Sequence, residues 1–117
     1  MTALDDALRA HVDLFNDAVR SGDWSGFLAT FAEDAVMMFV NVPAGPYVGR
    51  DAIVEAYRLR PPDDTMTVTS VHADTPDTAS ARFRWDAGGT GTMTVHWSGA
   101  QVAELTVEFD EPDRAAP

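Results

Sequence analysis

Residues 79–109 read ASARFRWDAGGTGTMTVHWSGAQVAELTVEF, and their alternation decides the fold. In residues 79–87, Ala81, Phe83 and Trp85 fall on one face and Arg82, Arg84 and Asp86 on the other. Gly88-Gly89-Thr90-Gly91 breaks the run. Residues 92–97 put Met93, Val95 and Trp97 opposite Thr92, Thr94 and His96. Ser98-Gly99 turns the chain again, and residues 101–109 set Ala103, Leu105, Val107 and Phe109 against Glu104, Thr106 and Glu108. Side chains alternate across a strand with a period of two. Three consecutive strands, each with one apolar and one polar face, predict an antiparallel meander covered on a single side. The glycine-rich break has strands on both sides and no helix after it, so it reads as a hairpin turn and not as a phosphate cradle.

Outward from this meander, residues 65–73 supply a fourth strand. It alternates either around Met66, Val68 and Ser70 or around Thr67, Thr69 and Val71. The first half of the chain is mostly helical. Leu4, Leu8, His11/Val12, Phe15 and Val19 recur at three- and four-residue steps, which predicts an amphipathic helix over residues 4–20. Asp5 and Asp6 sit near its start, where the helix dipole favours negative charge, and Ser21-Gly22 stops it. Asp23 caps a second, short helix with Trp24, Phe27, Leu28 and Phe31 as its buried stripe, and residues 32–34 form a turn. Residues 35–41 (AVMMFVN) read as a strand. Residues 42–49 hold two prolines and two glycines and read as a loop. Residues 51–59 form a third helix, with Ile53 and Tyr57 inward, Ala56 open to either side, and Pro61-Pro62 ending it.

Three helices cannot bury their stripes alone, so they must cover the apolar sheet face. The expected architecture is α+β, a curved, cone-shaped antiparallel sheet wrapped around three N-terminal helices. Where the cone is not filled, a pocket forms. The 117-residue length fits one domain over residues 1–110, with a polar, proline-containing flexible tail at 111–117.

Composition narrows the function classes. The absence of cysteine excludes disulfides, thiolate metal sites and cysteine nucleophiles. The three histidines share no metal-ligand spacing, so no metal is expected, and no cofactor is expected either. A net charge of −11 repels phosphate backbones and anionic membranes, which argues against nucleic acid or membrane as partner. Neither a long apolar run nor a basic region followed by an apolar stretch is present, so the expected location is cytoplasmic.

Three stretches carry a resemblance: Phe15-Asn-Asp-Ala-Val-Arg-Ser-Gly-Asp-Trp24, Phe31-Ala-Glu-Asp-Ala35, and Gly49-Arg-Asp-Ala-Ile53 with Tyr57-Arg58. With the order of elements, they resemble the nuclear transport factor 2-like superfamily, whose small-molecule members include ketosteroid isomerases, SnoaL-like polyketide cyclases and limonene-epoxide-hydrolase-type enzymes. The resemblance spans essentially the whole chain and implies the cone fold, a hydrophobic small-molecule partner and a homodimer. Its isomerases place a general-base Asp where this chain has Phe39, and an oxyanion-hole Tyr where it has Phe15. Their supporting Tyr matches Tyr57. The epoxide-hydrolase pattern matches at Asn41, at the loop leading into Gly49-Arg50-Asp51, and at Arg84-Trp85-Asp86. It lacks its Tyr, replaced by Phe39, and its second acid has Glu104 as the nearest carboxylate.

Two function classes follow. In the first, the chain is an enzyme doing acid–base chemistry on a hydrophobic substrate: epoxide hydrolysis, cyclisation or a proton-shift isomerisation. Asp86 is then the base, Arg84 its orienting partner, and Asn41 and Tyr57 the polar contacts. Phe15, Trp24, Phe39, Tyr47, Trp85 and Met93 line the pocket. In the second, the chain is a non-catalytic small-ligand-binding or dimeric interaction module, as the two phenylalanines at the isomerase positions suggest. The alternation itself favours Arg84 and Asp86 as a solvated salt pair on the polar sheet face, and Asn41 is equally readable as a turn cap. A carboxylate lining the cavity favours the enzyme, and a wholly apolar cavity favours the binder.

Overall fold

The computed structural model describes residues 3–110. The helix predicted from the three-four stripe is α1, Ala3–Ser21, which buries Leu8, His11, Val12, Phe15 and Ala18. Gly22 ends it with φ +80°, a backbone that glycine adopts without penalty, and its N–H returns to the Ala18 carbonyl at 2.8 Å. The second helix, α2, is one turn, Ser25–Leu28. The Asp23 carboxylate accepts from the Ser25 N–H at 3.0 Å and from its hydroxyl at 2.7 Å, which holds the Asp23 carboxyl below the usual range.

The chain then enters β1, Phe31–Val40, earlier than residues 32–34 suggested. The expected turn at Ala32-Glu33-Asp34 is instead an irregular strand opening. Phe31 pairs with Val102 and is fully buried, and the register shifts before Val36. The loop at 42–49 contains a two-residue strand, β2, Tyr47–Val48, paired with Met37 and Val36 of β1. Helix α3, Arg50–Leu59, follows and buries Ile53 and Tyr57. The meander is β3 Met66–Thr75, β4 Thr78–Trp85, β5 Thr90–Ser98 and β6 Gln101–Phe109.

These strands form one open sheet in the order β2-β1-β6-β5-β4-β3. All pairings are antiparallel except β1 with β6, which run parallel, so the sheet is mixed. That pairing puts the first and last long strands side by side in the middle of the sheet, whose edges are β2 and β3. The core sits between the helices and the sheet: Leu8, Val12 and Phe15 of α1 and Ile53 of α3 face Ala81, Phe83, Val95 and Leu105 of the sheet.

Besides the shift in β1 and a bulge at Asp74 near the end of β3, two bulges change which side chains enter the core. In β6, Trp97 pairs with Val102 and His96 with Glu104, so Ala103 is the extra residue. Val102 therefore enters the core in place of Ala103, and Trp97 is only half-buried. In β3, Val68 pairs with Phe83 and Ser70 with Arg82, leaving Thr69 extra. Met66 and Val68 face inward before it and Val71 after it, so each of the two candidate frames holds for part of the strand.

Among the described residues, no helix is long and apolar enough to cross a membrane. The tail expected at 111–117 lies outside the described residues.

Candidate ligand-binding site

The sheet curls further than the helices can fill, and a hollow of about 670 Å³ remains. Helix α1 contributes His11 and Phe15 to its wall. The sheet contributes Met37, Phe39, Trp85 and Met93. Tyr57 of α3 covers one side, and Tyr47, the loop around Pro43 and Gly45, and Leu59, Arg60 and Pro62 form the rim. The rings brace one another. Trp85 stacks on Phe109 with centroids 6.2 Å apart, and Phe39 meets Tyr47 edge-on at 6.3 Å.

Of the pocket residues expected from the sequence, Phe15, Phe39, Tyr47, Trp85 and Met93 line the hollow. Trp24 does not. It packs behind the wall, 5.5 Å from Phe15 and 5.0 Å from Tyr57. Its indole thus fixes two lining rings instead of meeting a ligand.

The polar residues expected to do chemistry divide. Tyr57 lines the hollow and is buried. Burial pushes its phenol pKa up, and the nearby Tyr47 phenol adds to this. Neither phenol makes a hydrogen bond among the described residues. Asp86, Arg84 and Asn41 stand elsewhere, which corrects their expected place in the pocket. Asp86 and Arg84 follow the strand alternation to the outer, exposed side. The hydroxyls of Thr65 and Thr67 donate to the Asp86 carboxylate, Thr67 at 2.8 Å. These two bonds, more than the charge of Arg84, hold its carboxyl below the usual range. Asn41 has φ +73° and its Nδ2 donates to the Phe109 carbonyl at 2.6 Å, so it ties the end of β1 to the end of β6.

Glu55 is the one carboxylate lining the hollow among the described residues. It is exposed at the rim and ion-paired with Arg58, whose hydrogen bonds keep the carboxyl below its ordinary pKa.

Sequence reading placed His11 in the apolar stripe of α1 and gave it no role. In the structure its imidazole lines the hollow, is 5% exposed, and has a buried Nδ1 with no hydrogen-bond partner. Phe27 and Phe31 flank it, with centroids 5.0 and 6.1 Å away. Burial lowers its pKa to about 4, so the ring is neutral at pH 7. The usable signal was a histidine on an otherwise apolar stripe. Asn16 was also missed. Its amide donates to the Met66 carbonyl and accepts from the Met66 N–H, both at 2.9 Å, and so clamps α1 to the start of β3.

The same architecture recurs in solved structures. A proposed isomerase from Bacillus subtilis has a TM-score of 0.76 at 16% identity, covering 94% of this chain and 90% of its own. A proposed ketosteroid isomerase from Kribbella flavida DSM 17836 has a TM-score of 0.64 at 23% identity, covering 96% of this chain and 84% of its own. A Mycobacterium tuberculosis protein solved in complex with estradiol-17beta-hemisuccinate has a TM-score of 0.65 at 18% identity, covering 86% of this chain and 92% of its own. At these identities the likeness concerns the fold alone. No curated protein matches the sequence. The family model of the SnoaL-like domain matches residues 12–109, and the chain belongs to this family, within the nuclear transport factor 2-like superfamily.

Proposed function

We propose that the chain binds a flat, hydrophobic small molecule in the hollow between its helices and its sheet, with the phenols of Tyr57 and Tyr47 as hydrogen-bond donors. One observation carries this reading: a 670 Å³ hollow walled by aromatic rings and two phenols without a hydrogen bond among the described residues. Ligand sites are typically of this size, mostly apolar, with a few placed polar groups. The steroid conjugate bound by the Mycobacterium tuberculosis relative supports the ligand class.

The test is titration of the protein with estradiol, followed by tryptophan fluorescence, since Trp85 is part of the wall. Saturable quenching is expected, and Tyr57→Phe should weaken binding about tenfold, the worth of one buried hydrogen bond. Absence of any saturable change with estradiol and with 2-naphthol would sink the reading.

A second reading is acid–base catalysis on such a molecule: isomerisation, cyclisation or epoxide opening. It is supported by the Tyr57 phenol, a donor buried in the wall of the hollow and making no hydrogen bond among the described residues, the kind of preorganised group that stabilises a developing oxyanion. Turnover of a β,γ-unsaturated ketone to its conjugated isomer would reveal it. Tyr57→Phe should then cost about a hundredfold in kcat. Asp86→Asn should leave the rate unchanged, because that carboxylate is held on the outer side by Thr65 and Thr67. Abolition by Asp86→Asn would return the base to Asp86, just after β4. A homodimer belongs to the same reading. It is supported by the exposed Met38, Val40 and Val48 near the β1–β2 edge, and sedimentation at micromolar concentration tests it.

A further inference from the structure

His11 is the buried polar group that neither reading above uses. It lies in the α1 wall of the hollow, flanked by Phe27 and Phe31, and its Nδ1 is enclosed without a partner. A neutral imidazole carries one proton, on one nitrogen or the other. A buried N–H left without an acceptor is rarer than an under-used acceptor. The proton therefore belongs on Nε2, and Nδ1 stays bare. Because Nδ1 is enclosed, Nε2 is the nitrogen left to meet a ligand. Tyr47, Tyr57, Glu55 and Arg60 are the other ionisable groups around the hollow, and Glu55 and Arg60 are exposed at its rim.

We propose that His11 is a specificity-determining residue: its Nε2–H donates a hydrogen bond to a carbonyl oxygen at the buried end of an aromatic or fused-ring ligand. The inference rests on the hollow being a ligand site, and it adds the chemical class the site selects. A ketone satisfies the imidazole that a hydrocarbon of the same shape leaves unpaired, so discrimination comes from the cost of that unpaired donor.

The experiment compares 2-acetylnaphthalene with 2-isopropenylnaphthalene, its hydrocarbon counterpart of similar shape. The wild type should bind the ketone about tenfold more tightly. His11→Phe should erase most of that preference while still binding the hydrocarbon. His11→Leu serves as a second apolar replacement should the phenylalanine disturb folding. Tyr57→Phe should keep the His11-dependent part of the preference. On the intact wild type, nitrogen-15 spectra of the imidazole should show the proton on Nε2, and that resonance should move with the ketone and not with the hydrocarbon. A ketone preference that survives both His11 variants, or a proton found on Nδ1, overturns this inference alone. No saturable binding of either naphthalene by the wild type overturns the ligand-site reading and this inference with it.

Discussion

The imidazole of His11 makes stability depend on pH in a direction that can be worked out. Its pKa is lowered from 6.5 to about 4 by burial, so below pH 6.5 the unfolded chain binds a proton that the folded chain does not. Stability must therefore fall as pH falls through the window from 6.5 to 4, and be unaffected by this group above it. At pH 4.5 the shift implies a loss of about 2.5 kcal/mol from His11. The carboxylates titrate in the same region, so the informative quantity is the difference between wild type and His11→Leu in urea unfolding. That difference should change by about 2.5 kcal/mol between pH 7.5 and 4.5. A constant difference would mean that the ring is hydrated in the folded state. At this scale the sequence was legible in part. Helical spacing marked His11 as inward-facing, but spacing carries no sign of whether packed side chains or a hollow lies beyond. For Asp86 and Arg84 the alternation already pointed outward, and the structure agrees. Their pairing within one motif suggested chemistry that their location does not support.

At the scale of elements, the strands were readable because alternation is a period-two signal repeated over many residues. The bulges at Thr69 and Ala103 were not, because one extra residue leaves no mark in composition while moving every later side chain to the other face. Likewise, Ala32-Glu33-Asp34 has poor strand propensity, and it lies within β1 between two residues that do pair with β6, Phe31 with Val102 and Val36 with Glu104. Gly91 shows how tightly one element was fitted. It was read as part of a turn, but it lies within β5 opposite Phe83. A Cβ there would stand 2.5 Å from the Glu108 carbonyl oxygen and 2.7 Å from the Phe83 ring. The ring can tilt, but the carbonyl belongs to the paired strand and cannot move without disturbing the ladder. Gly91→Ala should therefore destabilise the protein by about 2 kcal/mol or more, seen as a lowered Tm in thermal unfolding. A Tm equal to that of wild type would show that β5 and β6 separate easily at this end.

At the scale of the whole molecule, the fold leaves space unfilled. A chain of 117 residues has a limited core, and an apolar hollow of about 670 Å³ forfeits contacts that close packing would supply. If the hollow exists for a ligand, stability and binding must oppose each other there. Ala56 on α3 lines the hollow and points its methyl group into it from a helix, where a longer unbranched side chain fits the backbone without strain. Ala56→Leu should fill part of the space and stabilise the chain by about 1 kcal/mol, measured as a raised urea midpoint with an unchanged slope. The same substitution should weaken estradiol binding at least tenfold, because the added carbons occupy volume the ligand needs. Each half of the result has its own meaning. Greater stability with undiminished binding would place the ligand outside the hollow. Lower stability would mean that Tyr57 and its neighbours already close around the space more tightly than an open site requires. Only the opposed pair, tighter folding and poorer binding, is what a ligand cavity held open at the expense of packing predicts.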